Sequence, residues 1–191
     1  MKKRFEKINK VSGELSLTGD KSISHRAVIF SAMASGKSSI KNLSQGEDVK
    51  STMKIMQQLG VKVVREEKQI IIDGCGFKGF KKSNTELDCG NSGTSARLIC
   101  GLLATQNFNS TLIGDSSLSK RPMKRVIEPL KKMGVEFILN ENLTLPLRII
   151  PGSKINSIKY DMPVASAQVK SSVLIAGLHC ESKTDVIENE R

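Results

Sequence analysis

Between Asp48 and Gly60 one face of the chain is marked by Val49, Thr52, Met53, Met56 and Leu59. This i, i+3, i+4, i+7, i+10 spacing follows the helical repeat, so it predicts an amphipathic helix lying on a core, with Gly60 at its stop. The stripe returns 74 residues later at Met123, Val126, Ile127, Leu130 and Met133, within a second helix from Pro122 to Gly134. Pro122 suits the first helical position, where a missing N–H costs nothing. Three further runs, Ala27 to Ala34, Leu98 to Ala104 and Val173 to Leu178, are apolar nearly all round and predict buried helices. Strand-like stretches bounded by turn residues are Glu14 to Thr18, Ser38 to Leu43, Val61 to Val64, Gln69 to Asp73, Ser110 to Gly114, Val135 to Leu139, Pro146 to Ile150, Ser157 to Tyr160 and Thr184 to Ile187.

The order of these elements repeats. Ser22-Ile23-Ser24-His25-Arg26, Gly93-Thr94-Ser95-Ala96-Arg97 and Ser166-Ala167-Gln168-Val169-Lys170 each open an apolar helix, and their basic residues lie 71 and 73 positions apart. A shared period in both helix types points to a duplicated unit running strand, helix, strand, helix, strand, strand. The fold class is α/β, built from repeated βαβαββ units with inner parallel helices and outer sheets. The units span about 15–83, 84–152 and 153–191, and the third is incomplete because its amphipathic helix is missing.

Composition narrows the class. The 191 residues are 38% hydrophobic and 26% charged, which suits a globular chain, and no apolar run reaches the roughly 20 residues of a membrane span. The basic start Met1-Lys2-Lys3-Arg4 leads into no apolar signal region, so a cytoplasmic protein is expected. Cys75, Cys89, Cys100 and Cys180 have no C-x-x-C spacing, and with only His25 and His179 to assist, free thiols are expected rather than a metal site. A net charge of +11 implies an anionic partner, either nucleic acid or phosphorylated metabolites. One Tyr, six Phe and no Trp leave few platforms for stacked bases.

The chemistry gathers before the three apolar helices. If these run parallel, their N-termini converge, and unpaired N–H groups with partial positive charge make an anion site. Lys21, Ser22, Ser24, Arg26, Asn91, Ser92, Thr94, Arg97, Ser166, Gln168 and Lys170 lie there, a set rich in phosphate and carboxylate partners and poor in nucleophiles. Ser22 or Ser24 also suits a helix cap, and Gly93 allows a ligand close to the backbone. Arg121 stands just before a helix, where a guanidinium can fork onto a carboxylate or phosphate. Ser35-Gly36-Lys37-Ser38 is not a phosphate loop, because Ser31 stands where a glycine is needed and the stretch follows a helix; a solvated turn is expected. His25 and His179 have no assignable partner and read as structural.

Asp20-Lys21-Ser22-Ile23-Ser24-His25-Arg26-Ala27, Gly90-Asn91-Ser92-Gly93-Thr94, Leu118-Ser119-Lys120-Arg121-Pro122-Met123 and Ala165-Ser166-Ala167-Gln168-Val169-Lys170-Ser171 closely resemble, in order and spacing, the motifs of the 5-enolpyruvylshikimate 3-phosphate synthase family. The likeness runs from about residue 8 to the C-terminus. It implies an enolpyruvyl (carboxyvinyl) transferase of the shikimate pathway, which makes aromatic amino acids. Such an enzyme moves the enolpyruvyl group of phosphoenolpyruvate to the 5-hydroxyl of shikimate 3-phosphate and releases phosphate, without cofactor or metal. By resemblance Lys21 touches both substrates, Ser22 and Arg26 hold the shikimate part, and Ser166 and Gln168 hold its phosphate and ring. Gly93 and Arg121, with Lys21 and Gln168, belong to phosphoenolpyruvate, and Gly93 leaves the space that admits glyphosate.

The resemblance also implies that residues 1–14 join another domain, that 15–191 are most of one domain, and that a second domain is absent. The family's acidic proton-transfer residues then lie outside this sequence, so no catalytic residue is assigned and the isolated chain is expected to be inactive. Ala167 stands where many relatives have a second serine. The family is usually monomeric, whereas an incomplete unit favours self-association. The alternatives are a basic nucleic-acid-binding module and the sister transferase acting on a UDP-amino sugar, which normally has Lys-Asn where Lys21-Ser22 stands.

Overall fold

Asp20 accepts the Ile23 N–H on Oδ1 at 2.7 Å and so starts helix α1 (Lys21–Met33), nearly two turns before the apolar run begins at Ala27. The cap is Asp20 rather than Ser22 or Ser24, because Ser24 is turned inward to accept the Ser44 N–H at 3.0 Å. The computed structural model describes residues 3–67 and 69–188. Its other helices are α2 (Glu47–Gln58), α3 (Gly93–Leu103), α4 (Lys124–Lys132) and α5 (Ala167–Gly177), with a 3-10 turn over Leu118–Lys120. The strands are β1 (Ser35–Lys41), β2 (Lys62–Arg65), β3 (Gln69–Cys75), β4 (Leu87–Asp88), β5 (Ser110–Ile113), β6 (Glu136–Ile138), β7 (Leu147–Ile150), β8 (Lys159–Met162) and β9 (Asp185–Glu188).

From β4 to β7 the chain follows the expected order of strand, helix, strand, helix, strand, strand. These strands form one sheet in the order β4-β5-β7-β6, with β4 parallel to β5 and the other pairs antiparallel. The β8-α5-β9 segment repeats the parallel pair, matching Lys159 with Asp185 and Met162 with Glu188. The first sheet, β1-β3-β2, is antiparallel throughout and lacks a counterpart of β4. Glu14 to Thr18, expected as that strand, has no regular structure, and Leu15 and Leu17 are exposed. Alternation alone makes no strand; it needs a neighbouring ladder and a face to bury, and these residues have neither.

Ser35 to Ser38 form the first half of β1, pairing with Cys75 to Ile72, rather than a solvated turn. Their run of small polar residues has no alternation to reveal it, and only the partner strand decides. Pro122 also departs from expectation. It precedes the Met123 N-cap of α4 and lies outside the helix. Arg121 before it is extended, as the proline ring demands of its neighbour.

The stripes of α2 and α4 are buried as their spacing requires, and Gly60 and Gly134 end the two segments with φ of 90° and 98°. Helix α3 is the central rod. A Cβ on Gly101 would lie 2.1 Å from the Ser172 carbonyl oxygen, so glycine lets α3 and α5 approach backbone to backbone. Helices α1 and α5 are not buried all round as expected. Helix α2 lies against α1 and α3, and α4 lies against α3 and α5. Phe30, Leu174 and Leu178 remain partly exposed along a groove of about 530 Å³ between α1 and α5. No helix among the described residues is long and apolar enough to cross a membrane.

Candidate functional site

Polar contacts tie the first turns of the inner helices to one another. Arg26 of α1 donates from Nη1 to the Ser22 carbonyl at 3.0 Å and from Nη2 to Ser171 Oγ of α5 at 2.9 Å. Gln168 of α5 donates from Nε2 to Thr94 Oγ1 of α3 at 3.0 Å and accepts from Arg97 Nη1 at 3.2 Å. Contacts between early residues of each helix mean that the helices run in the same direction, as the sequence suggested. Ser92 caps α3 and Ser166 caps α5, each accepting an N–H three residues on.

Lys21 lies in the first turn of α1, and its Nζ sits 2.9 Å from Asp48 Oδ2 on α2. The Lys21 side chain remains more than half exposed, so the pair holds it in place without burying it. Ser22 beside it is exposed. The Asp48 carbonyl lies 3.2 Å from Ser95 Oγ, which donates to Ser92 Oγ at 2.7 Å. Asn91 adjoins that cap and accepts from Arg121 Nη2 at 2.5 Å. A continuous path of contacts thus leads from Lys21 to Arg121.

Arg121 is placed by the turn before α4. Asp115 accepts the N–H groups of Leu118 and Ser117 on Oδ1 and the Asn91 amide on Oδ2 at 2.7 Å. These hydrogen bonds, that of Leu118 first and that of Asn91 next, hold the Asp115 carboxyl below its ordinary range. The Arg121 guanidinium meets neutral oxygens, those of Asn91 and Ser117. Arg97 likewise donates to the Gly93 and Pro122 carbonyls and to Gln168. Burial lowers its pKa, and Arg121 and Arg125 push it the same way. Among the described residues none of Arg26, Arg97, Arg121 or Arg125 forms an ion pair with a carboxylate. Clustered guanidinium groups whose hydrogen bonds go to neutral oxygens, as those of Arg97 and Arg121 do, are suited to a multiply charged anion.

Gly93 is the first residue of α3, and a Cβ there would lie 2.6 Å from Arg97 Nη1 and 3.5 Å from Arg121 Nη1. The missing side chain leaves room at the point where two guanidinium groups approach. Lys170 is committed elsewhere, to Glu188 of β9. His25 has a partner after all, because its Nδ1 lies 2.7 Å from Thr52 Oγ1. Asp48, Asp115 and Thr52 were missed by the sequence reading. Each is 24 or more residues from the group it serves, and only the period shared by α2 and α4 hinted that α2 lies beside the inner helices.

The four cysteines are free thiols. Burial pushes Cys100 up to about 12 and raises Cys89 as well, so neither is a ready nucleophile. No cluster of His, Cys, Asp and Glu among the described residues is placed to hold a metal ion. A cavity of about 800 Å³ opens at the other end of the inner helices, between Phe77, Phe108, Lys154 and His179, and shares none of these residues.

Residues 5–191 match the family model described as EPSP synthase (3-phosphoshikimate 1-carboxyvinyltransferase). The 3-phosphoshikimate 1-carboxyvinyltransferase of Syntrophomonas wolfei is 46% identical over all 191 residues, and that of Ruthia magnifica is 52% identical over 180. A solved structure of EPSP synthase from Acinetobacter baumannii superposes with a TM-score of 0.89 at 42% identity, covering 94% of this chain. The chain spans 45%, 41% and 41% of the lengths of these relatives, in that order.

Proposed function

Because the chain belongs to the EPSP synthase family, we propose that the joined N-terminal turns of α1, α3 and α5 bind shikimate 3-phosphate and phosphoenolpyruvate for enolpyruvyl transfer. The observation that carries this reading is the approach of Arg97 and Arg121 at Gly93, with Arg125 adding to their field and with none of the three in an ion pair with a carboxylate among the described residues. Each substrate carries a phosphate and a carboxylate, and together they bring about five or six negative charges at neutral pH. Lys21 serves both substrates, with Asp48 fixing its direction. Ser22 and Arg26 hold the shikimate part, and Ser166 and Gln168 hold its phosphate and ring. Arg121 forks onto phosphoenolpyruvate, and Gly93 makes space for it.

In the reaction the 5-hydroxyl oxygen adds to C2 of phosphoenolpyruvate as a proton enters at C3. Loss of inorganic phosphate and of a proton then regenerates the double bond. The cations supplied here neutralise the phosphate that leaves, while the proton transfers need acid and base groups within hydrogen-bond reach. We assign those groups to none of the residues of this chain, which spans less than half of its relatives. In this reading these 191 residues form one wall of the cleft and, taken by themselves, bind shikimate 3-phosphate weakly without turnover. The four free thiols suit a reducing compartment and favour the cytoplasm.

Calorimetric titration of the 191-residue chain tests this reading. Saturable, salt-sensitive binding of shikimate 3-phosphate, with no binding of a UDP-amino sugar, is expected. Preference for the UDP-sugar, or retention on DNA without shikimate 3-phosphate binding, would overturn it.

A further inference from the structure

His25 is fully buried in the core beneath the proposed substrate face, and it belongs to a chain of four polar side chains on three helices. Its Nδ1 lies 2.7 Å from Thr52 Oγ1 of α2, and Thr52 Oγ1 lies 2.7 Å from Ser95 Oγ of α3. Ser95 Oγ donates to Ser92 Oγ, the α3 cap, at 2.7 Å, with the Asp48 carbonyl as a second acceptor at 3.2 Å. Among the described residues His25 Nε2 has no partner.

The count of hydrogens gives this chain a direction. A hydroxyl carries one hydrogen. Ser95 shares its single hydrogen between Ser92 Oγ at 2.7 Å and the Asp48 carbonyl at 3.2 Å, so at Thr52 it must accept. Thr52 then spends its hydrogen on Ser95 and must accept from His25. The imidazole therefore carries its proton on Nδ1, and the unpartnered Nε2 is a bare lone pair rather than a buried N–H. The opposite tautomer would strand an N–H in the core and take the Ser95 hydrogen away from Asp48.

We propose that neutral, Nδ1-protonated His25 is a positioning residue that holds the two cationic parts of the site in register. One end of the relay is Asp48, which fixes Lys21, and the other is Ser92, which adjoins Asn91, the partner of Arg121. His25 itself touches neither lysine nor arginine through a hydrogen bond in this relay. Burial keeps its ring uncharged; of its ionisable neighbours Asp48 opposes this, while Lys21 and Arg26 reinforce it. The affinity arm of the test rests on the proposed substrate site, whereas the two spectroscopic arms do not.

In the 191-residue chain labelled with 15N, His25 at pH 7 is expected to show a protonated Nδ1 and an unprotonated Nε2. An Nε2–H tautomer would overturn the relay whatever the ligand. Thr52→Val keeps the shape and removes the hydroxyl, and it should shift the amide resonances of Asn91, Ser92 and Gly93. His25→Asn, whose amide nitrogen stands where Nδ1 does, should leave them close to those of the unaltered chain. Unmoved resonances in Thr52→Val would reject the positioning role. With shikimate 3-phosphate as probe, Thr52→Val should weaken binding about tenfold and His25→Asn less than threefold; equal affinities for Thr52→Val and the parent would also reject the role. A parent chain that binds none of the probe, yet shows the Nδ1–H tautomer and the Thr52→Val shifts, refutes the substrate assignment and upholds the relay.

Discussion

Arg121 and Asn91 are joined by a 2.5 Å hydrogen bond across thirty residues of chain, and Asn91 gives its amide to Asp115 at 2.7 Å. The asparagine thus orients a guanidinium without neutralising it. A carboxylate in its place would compete with an anionic substrate, whereas a neutral oxygen leaves the charge available.

Arg121→Ala should therefore damage function and spare the fold. In a full-length family enzyme carrying this segment, loss of a bidentate charged contact costs about 2–4 kcal/mol, or roughly 30- to 1,000-fold in kcat/KM for phosphoenolpyruvate. Steady-state kinetics beside an unchanged urea midpoint checks it. Near-normal kinetics would remove Arg121 from the site.

At Gly93 an added methyl meets the flexible end of Arg97 rather than backbone, so Gly93→Ala should fold. It should displace the guanidinium groups and narrow the space beside them. In the same full-length enzyme, inhibition by glyphosate should weaken more than the KM for phosphoenolpyruvate rises. Parallel changes in the two constants would refute this.

Gly101→Ala behaves differently, because its Cβ would stand 2.1 Å from the Ser172 backbone oxygen and two helices would have to part. Overpacking of this kind costs about 1–3 kcal/mol or more. A lower urea midpoint with an unchanged slope is expected, and a midpoint equal to that of the parent would show that α3 and α5 are not in such close contact.

Acid should destabilise the chain through its buried histidines. Burial lowers the pKa of His25 from 6.5 to about 4, and burial lowers that of His179 as well. Between pH 6.5 and about 4 the unfolded chain takes up a proton at His25 that the native state refuses, so stability is full above 6.5 and falls as pH drops through this window. The His25 contribution is about 3 kcal/mol when fully lost. Urea titrations at pH 7.5 and 4.5 should show it, and His25→Asn should flatten the pH dependence.

The groove between α1 and α5 bears Phe30, Leu174 and Leu178 partly exposed, and self-association is expected there. Sedimentation should detect dimers or larger species at micromolar concentration. Leu174→Glu with Leu178→Glu should shift the chain to monomer, and a monomeric parent would dismiss the idea.

Much of this protein is written locally. The stripes of α2 and α4, the glycines at 60 and 134 and the polar openings of the inner helices depend on residues three or four apart, so their spacing alone predicts the elements and their repetition. Repetition in turn placed Lys21, Arg26, Gly93 and Gln168 at equivalent helix starts, because side chains at one end of parallel helices have to meet. Long-range pairing decided the rest. Leu15 and Leu17 alternate as a strand would, yet they form none, since a strand exists only through its neighbour's hydrogen bonds. Leu87–Asp88 is too short to carry a period and is a strand only because β5 lies beside it. His25 looked solitary because Thr52, 27 residues on, becomes its neighbour only when α2 packs on α1 and α3. Hydrogen bonds between distant side chains leave no trace in local spacing, and in this protein they fix how the cations of the site are aimed.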